Sequence, residues 1–261
     1  MALSSRLRLA VLLLATLTAA PPAQAADPRL PAYNADPAET TVSGISSGAF
    51  MAVQLGTAFS GTIKGVGVIA GGPFGCAQPS GFAPGLAIAT ALGPCMKGDP
   101  APALAPLIAQ AERLAQSGDI DPLSQLQRQK IFIFHGYNDA VVARSVTDGT
   151  AAFYAHYLGS ANRGNLFYQT TYGAGHSQVT LTAGLPCPAN ETPFIDACGY
   201  DVAGKILQHL YGALHPRNAG PPTGRMLPFD QGQFTALDPA IYSMGSTGYV
   251  YVPDSCARME A

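Results

Sequence analysis

Residues 130–134, Lys-Ile-Phe-Ile-Phe, restrict the fold more than any other stretch of this chain. After Lys130, apolar residues follow one another without a polar break, and His135-Gly136 closes the run, which is the pattern of a buried strand. Residues 40–45 and 63–70, rich in Val, Ile and Thr, read as further strands, and 166–172 as another. Helical spacing fills the gaps at 47–59, 103–116 and 146–158, with a last helix at 200–214. Strands that alternate with helices predict an α/β fold on a mainly parallel, doubly wound sheet. From 215 the chain turns rich in Pro and Gly and loses periodicity, so 215–247 reads as a connector, and 248–252 (GYVYV) reads as one more strand. Residues 26–261 are expected to form a single domain of this class.

The first 25 residues carry a different signal. Arg6 and Arg8 precede an apolar run from Leu9 to Leu17, and Ala23-Gln24-Ala25 follows. That order describes a secretory signal peptide, with the mature chain beginning near Ala26 in an oxidising compartment, periplasmic or extracellular. The run is too short to span a membrane, and no later segment is apolar for long enough, so no membrane partner is expected. Net charge is -2 with no long basic run, which argues against a nucleic-acid partner. The five cysteines, Cys76, Cys95, Cys187, Cys198 and Cys256, show no C-x-x-C spacing, so a zinc site is not expected. Nearest-neighbour pairing would join Cys76 to Cys95 and Cys187 to Cys198 and leave Cys256 over, although spacing alone does not establish connectivity.

Gly44-Ile45-Ser46-Ser47-Gly48 matches G-x-S-x-G and falls between an expected strand and an expected helix. This is the setting of a nucleophile elbow, where flanking glycines let the backbone bend and the helix pack closely. A serine hydroxyl attacks only when a base takes its proton, and the base needs an acid to orient it. In hydrolases with such an elbow the acid and the histidine follow the serine in that order, each after a later strand. Asp139 follows the 130–134 strand and His176 follows the strand ending at Tyr172, so both fall at carboxyl ends of strands. Ser46, Asp139 and His176 are therefore the expected triad, with the backbone N–H of Ser47 serving an oxyanion. Ser47 is the rival nucleophile, but it occupies the position of that N–H donor. His156 and His209 sit in expected helices, His215 opens the connector, and His135 ends the strand before Asp139 as a residue near the site that is not the base. Asp148 lies in a helix, while Asp196 and Asp201 follow the histidine, against the order. Gly71-Gly72-Pro73 and Gly173-Ala174-Gly175 are turn signals with no phosphate-loop lysine, and no metal or nucleotide cofactor is expected. Asn190-Glu191-Thr192 is a formal glycosylation sequon.

Several longer motifs carry a family resemblance: LPAYNADP, VSGISSGAFMAVQLGTAFS, GVIAGGPFGCA, GYNDAVV, TTYGAGHS, GYDVAG, LYGALHPRN and TGYVYVPDSC. Over residues 30–256 the chain resembles the single-domain extracellular poly(3-hydroxybutyrate) depolymerases with a circularly permuted α/β-hydrolase fold. The resemblance implies Ser46 as nucleophile, Asp139 as acid and His176 as base, with Cys76–Cys95 and Cys187–Cys198 as disulfides. Its activity would be hydrolysis of polyester, by a monomer without cofactor. The permutation also accounts for the shortness of the segment before Ser46, residues 26–45, which cannot hold the strands that usually precede the elbow. Those strands would follow the histidine, with GYVYVP the first of them. Members of that family continue with a partner cysteine, a strand ending in His-Gly-Cys and a tryptophan-bearing segment, whereas this chain has no Trp and ends at Ala261. The expectation is a chain short of its last strands and of one oxyanion donor, at a cost of roughly 10²–10³ in rate. Other expected readings are a carboxylesterase for soluble or plant-derived esters, and a non-catalytic chain that only adsorbs to polymer.

Overall fold

A computed structural model describes residues 27–257 apart from 34, 79–83, 218–219 and 243. The leader expected at 1–25 lies outside the described residues. The described chain divides into two compact units, residues 35–217 and a smaller one that joins 27–33 to 220–257.

In the larger unit the elements run β1 (Thr41–Ile45), α1 (Ser47–Ala58), β2 (Gly65–Ile69), α2 (Pro84–Leu92), α3 (Pro94–Lys97), α4 (Leu104–Ser117), β3 (Lys130–Phe134), α5 (Arg144–Leu158), β4 (Leu166–Gln169), β5 (Gln178–Thr180), β6 (Leu185–Pro186), β7 (Ile195–Ala197) and α6 (Val202–Tyr211). The first four strands form one parallel sheet in the order β1-β2-β3-β4. Alternation along each strand divides its side chains between two faces. Val66, Val68, Ile131 and Ile133 point to one face and form a core with Ala52 and Val53 of α1, Ala111 of α4, and Phe153 and Tyr154 of α5. Phe132, Phe134 and Ile69 point to the other, against Val202, Ile206 and Leu210 of α6. Helices thus cover both faces of the sheet, as the sequence pattern predicts.

Glycine sets how closely α6 approaches. A Cβ on Gly65 would lie 2.8 Å from Leu210 Cδ2, and one on Gly67 would lie 2.7 Å from Ile206 Cγ2 and 2.8 Å from Ser43 Cβ. The helix therefore sits in the space that two side chains of β2 would otherwise take. The same device recurs across the sheet, where a Cβ on Gly56 of α1 would meet Val66 Cγ2 at 2.4 Å. Small residues of α1 (Ala49, Ala52, Gly56) face the core, while Met51, Leu55 and Phe59 are exposed.

Beyond β4, the short strands pair in parallel as β5-β7-β6, and a disulfide joins Cys187 to Cys198 just after β6 and β7. A second disulfide joins Cys76 to Cys95 of α3. In the smaller unit β8 (Arg225–Asp230) pairs antiparallel with β9 (Thr247–Val252), and α7 (Asp254–Ala257) follows. The extended segment 27–30 is tied to this pair, with the Asp230 N–H on Pro28 O at 3.0 Å and the Leu30 N–H on Gln233 Oε1 at 3.2 Å. β8 corrects the reading of 215–247 as connector throughout. Its sequence, Arg-Met-Leu-Pro-Phe-Asp, contains a proline that has no N–H to give a ladder, a residue that argues against a strand unless only one neighbour is present.

Replacing Gly67 with alanine should destabilise the protein by about 1–3 kcal/mol, the usual cost of overfilling a packed interior. A lower urea midpoint with an unchanged slope is the expected result, because the added methyl pushes on Ile206 without altering what unfolding exposes.

Candidate active site

The four parallel strands bring their carboxyl ends to one edge of the sheet, where sites of open α/β sheets gather. β1 delivers Ser46 directly. The residue stands between β1 and α1 with φ 56° and ψ -126°, a backbone conformation that a side-chain-bearing residue holds only when its surroundings enforce it. Its N–H donates to Ile69 O of β2 at 3.0 Å, and its carbonyl accepts from Phe50 N–H of α1 at 3.0 Å. The two flanking glycines differ in importance. A Cβ on Gly44 would lie 2.3 Å from the Gly48 carbonyl carbon and 2.4 Å from its oxygen, so backbone meets backbone there. A Cβ on Gly48 would meet nothing within 4 Å, contrary to the expectation that both are needed for close packing. Ser47 follows as the first residue of α1, where helical N–H groups have no partner within the helix.

β3 and β4 deliver the other pair. His176 Nδ1 and Asp139 Oδ2 are 2.8 Å apart, and both side chains are almost wholly buried. The other carboxylate oxygen, Asp139 Oδ1, accepts the N–H groups of Val141 at 2.8 Å and Val142 at 2.9 Å, an Asx turn. Burial opposes the charge on Asp139. The hydrogen bond and charge of His176, together with the two backbone N–H groups, outweigh it and hold the carboxyl below the ordinary aspartate value. The Ser46 hydroxyl makes no hydrogen bond to His176 in this arrangement. Such contacts commonly tighten only when substrate is bound. His135 is buried beside this pair, with Nε2 2.9 Å from Val142 O and 3.9 Å from Asp139 Oδ2.

A cavity of about 450 Å³ is lined by Ser46 and Ser47, by Phe50, Met51 and Gln54 of α1, by Leu92 and Met96, and by the Cys76–Cys95 disulfide. Val142 completes it, so the residue whose N–H anchors Asp139 also forms part of the wall. The remaining candidates lie elsewhere. His156 and His215 are exposed, His209 bonds the Asn165 carbonyl, Asp148 accepts from Tyr168, Asp201 caps α6, and Asp196 is buried in β7. Among the described residues no cluster of three His, Cys, Asp or Glu is placed to hold a metal ion, and no helix is long and apolar enough to cross a membrane.

A polyhydroxybutyrate depolymerase of Talaromyces funiculosus is 36% identical to this chain over 250 residues, 94% of the chain and 68% of that protein. The chain belongs to the polyhydroxybutyrate depolymerase family. A poly(3-hydroxybutyrate) depolymerase of Delftia acidovorans is 41% identical over 229 residues, covering 87% of the chain but 44% of that relative, so the chain spans less than half of its length. Among solved structures, the PHB depolymerase of Penicillium funiculosum matches with a TM-score of 0.75 and 34% identity, over 89% of this chain and 69% of that one. A serine-to-alanine variant of a PHB depolymerase, complexed with an R3HB trimer, matches equally well. No protein-family model matches the chain. The fold of this family member is thus that of the solved depolymerases, a parallel α/β sheet covered by helices.

Sequence reasoning missed three contributors to this site. The wall supplied by α2, α3 and the Cys76–Cys95 bridge has no periodic signature, because α2 is nearly apolar throughout and α3 is one turn long. Asn190 was legible only as a sequon, yet its side chain binds the backbone of His176 and of Ala140. The Val141 and Val142 N–H groups could have been foreseen, since an aspartate commonly accepts from residues two and three positions on.

Gly44→Ala should abolish activity, because its methyl must displace the start of α1 and with it Ser46, whereas Gly48→Ala should retain activity and match or exceed the native urea midpoint. Asp139→Asn should lower kcat by on the order of 10³–10⁴. Because the carboxyl titrates below its ordinary value, Asp139 is ionised at both pH 6 and pH 8, and its own titration adds no pH dependence to that loss. The stabilisation it gives is complete above the ordinary aspartate value of about 3.9 and disappears as pH falls through the lowered value. Denaturation of both proteins across pH 3–7 should show their stability gap closing only at the acid end.

Proposed function

We propose that the chain is a secreted serine hydrolase that cleaves ester bonds of poly(3-hydroxybutyrate) or a related short-chain polyhydroxyalkanoate through an acyl-enzyme. The observation that carries this reading is the buried 2.8 Å Asp139–His176 pair at the same sheet edge as a strained Ser46 that lines an apolar cavity. The relatives named as depolymerases, and the R3HB trimer held by a related enzyme whose serine is replaced by alanine, supply the substrate class.

Ser46 Oγ attacks the ester carbonyl carbon while its proton passes to His176 Nε2. Asp139 holds Nδ1–H, which fixes the tautomer with Nε2 free to accept and stabilises the imidazolium as it forms. The negative charge that develops on the former carbonyl oxygen is met by the Ser47 N–H at the head of α1. The intermediate collapses, the alcohol end of the polymer leaves with the proton from His176, and water activated by the same base releases the hydroxy acid or oligomer. Each of these groups comes from one copy of the chain, which fits action as a monomer. Exposed Met51, Leu86, Ile88 and Leu92 on α1 and α2 suit a water-insoluble substrate. Two disulfides, together with the leader pattern of residues 6–25, fit export to an oxidising compartment.

A suspension of poly(3-hydroxybutyrate) should lose turbidity with the wild-type chain and stay cloudy with Ser46→Ala, and a fluorophosphonate should label the wild type at Ser46 alone. Turnover of soluble butyrate esters without clearing would remove the polymer from this reading. Equal clearing by Ser46→Ala would overturn the nucleophile.

A further inference from the structure

Asn190 lies 14 residues beyond His176 and 50 beyond Ala140, and it touches both loops. Its Oδ1 accepts the N–H groups of His176 and Ala140, each at 2.9 Å. Its Nδ2 donates to the carbonyls of Asn138 and Pro188, each at 3.0 Å. All four hydrogen bonds that an amide side chain can make are therefore used. Two N–H groups at one end and two carbonyls at the other leave only one orientation for the amide. Asp139 stands between Asn138 and Ala140, so a single side chain grips the backbone on either side of the acid and the backbone of the base itself.

The neighbourhood is shaped to admit this contact. A Cβ on Gly175 would lie 1.8 Å from Ala189 O and 2.8 Å from Asn190 Nδ2, so glycine is what lets the 187–190 segment close on the His176 loop. The Gly175 N–H donates to Cys187 O at 2.8 Å, and the Cys187–Cys198 disulfide closes the segment. The two loops are also joined without Asn190, through Asn138 N–H on Ala174 O at 3.1 Å and Asn138 Nδ2 on Gly173 O at 2.8 Å. Loss of Asn190 should therefore shift the pair and not unfold the protein.

From this geometry we infer that Asn190 is a positioning residue for the Asp139–His176 pair, an inference that rests on the triad proposed above. It touches no reacting atom and acts by fixing where the acid and base loops sit. The same four bonds argue against the sequon reading of Asn190-Glu191-Thr192. A glycan on Nδ2 would take one of its two hydrogens and require space at a half-buried position.

The test uses the full chain with Asn190→Ala and Asn190→Asp, reading kcat and KM on p-nitrophenyl butyrate and the rate of fluorophosphonate labelling at Ser46. Displacement of catalytic groups by about 1 Å costs on the order of 10² in rate. Asn190→Ala should lose about 10- to 100-fold in kcat and in labelling rate, with KM within about twofold and cooperative unfolding retained. Asn190→Asp keeps the acceptor for both N–H groups and loses both donations, so its kcat should fall between the alanine variant and wild type, about 3- to 10-fold down. A folded Asn190→Ala with wild-type kcat and labelling rate overturns the inference, as does a loss confined to KM. Should the alanine variant not fold, wild-type kcat in Asn190→Asp overturns it and the intermediate value supports it. Failure of the underlying triad looks different: the wild type itself escapes labelling, or Ser46→Ala keeps its turnover.

Discussion

The 2.8 Å contact between Asp139 and His176 depends on β3 and β4 being parallel neighbours whose ends are level, with Phe134 opposite Gln169. Pairing does not stop where the strands do. His135 N–H reaches Gln169 O at 3.0 Å, Tyr137 N–H reaches Tyr172 O at 3.0 Å, and Asn138 N–H reaches Ala174 O at 3.1 Å. The two loops thus leave the sheet joined to each other, and Asp139 and His176 arrive as a pair. A buried carboxylate is tolerated at that spot because every acceptor direction that matters is met by an N–H group, two from the Asx turn and one from the imidazole.

The parts of this arrangement that were legible in the sequence are those encoded locally. The apolar run 131–134, closed by His135-Gly136, has the pattern of a buried strand, and G-x-S-x-G between an expected strand and an expected helix has the setting of a sharp turn. Asp139 and His176 stood out because each follows a strand at once and in the order that a serine hydrolase requires. Parts encoded by distant contacts were not legible. β5, β6 and β7 have at most three residues each, too few for periodicity to show, and they are defined by pairing between segments distant in the chain, with a disulfide joining the ends of β6 and β7. The contribution of Asn190 depends on partners 14, 50 and 52 positions away, which no local pattern reports.

The helix α1 is seated mainly by its small residues. Met51 and Leu55 are exposed, as is Phe59 just beyond the helix, while Ala49, Ala52, Val53 and Gly56 are buried. Close packing explains the pattern. Val66 occupies the place that a side chain on Gly56 would need, and the tight crossing of Gly44 under Gly48 holds the start of the helix against β1. Met51 and Leu55 are free to face outward because the small residues secure the helix.

The lengths of the three loops at the sheet edge rise with distance across the sheet. Ser46 is one residue past the end of β1, Asp139 five past β3 and His176 seven past β4. Strands in a sheet stand about 4.8 Å apart, so β3 lies roughly 10 Å and β4 roughly 14 Å sideways from β1. Each loop is longer the further its strand lies from the serine, as a set of arms must be if all are to meet at one point. The sheet fixes the shoulders, and residue count sets how far each arm can reach. The number of residues between Gln169 and His176 is thus bound to the width of the sheet, just as Gly136, Gly173 and Gly175 within these arms are bound to the close approach of their neighbours.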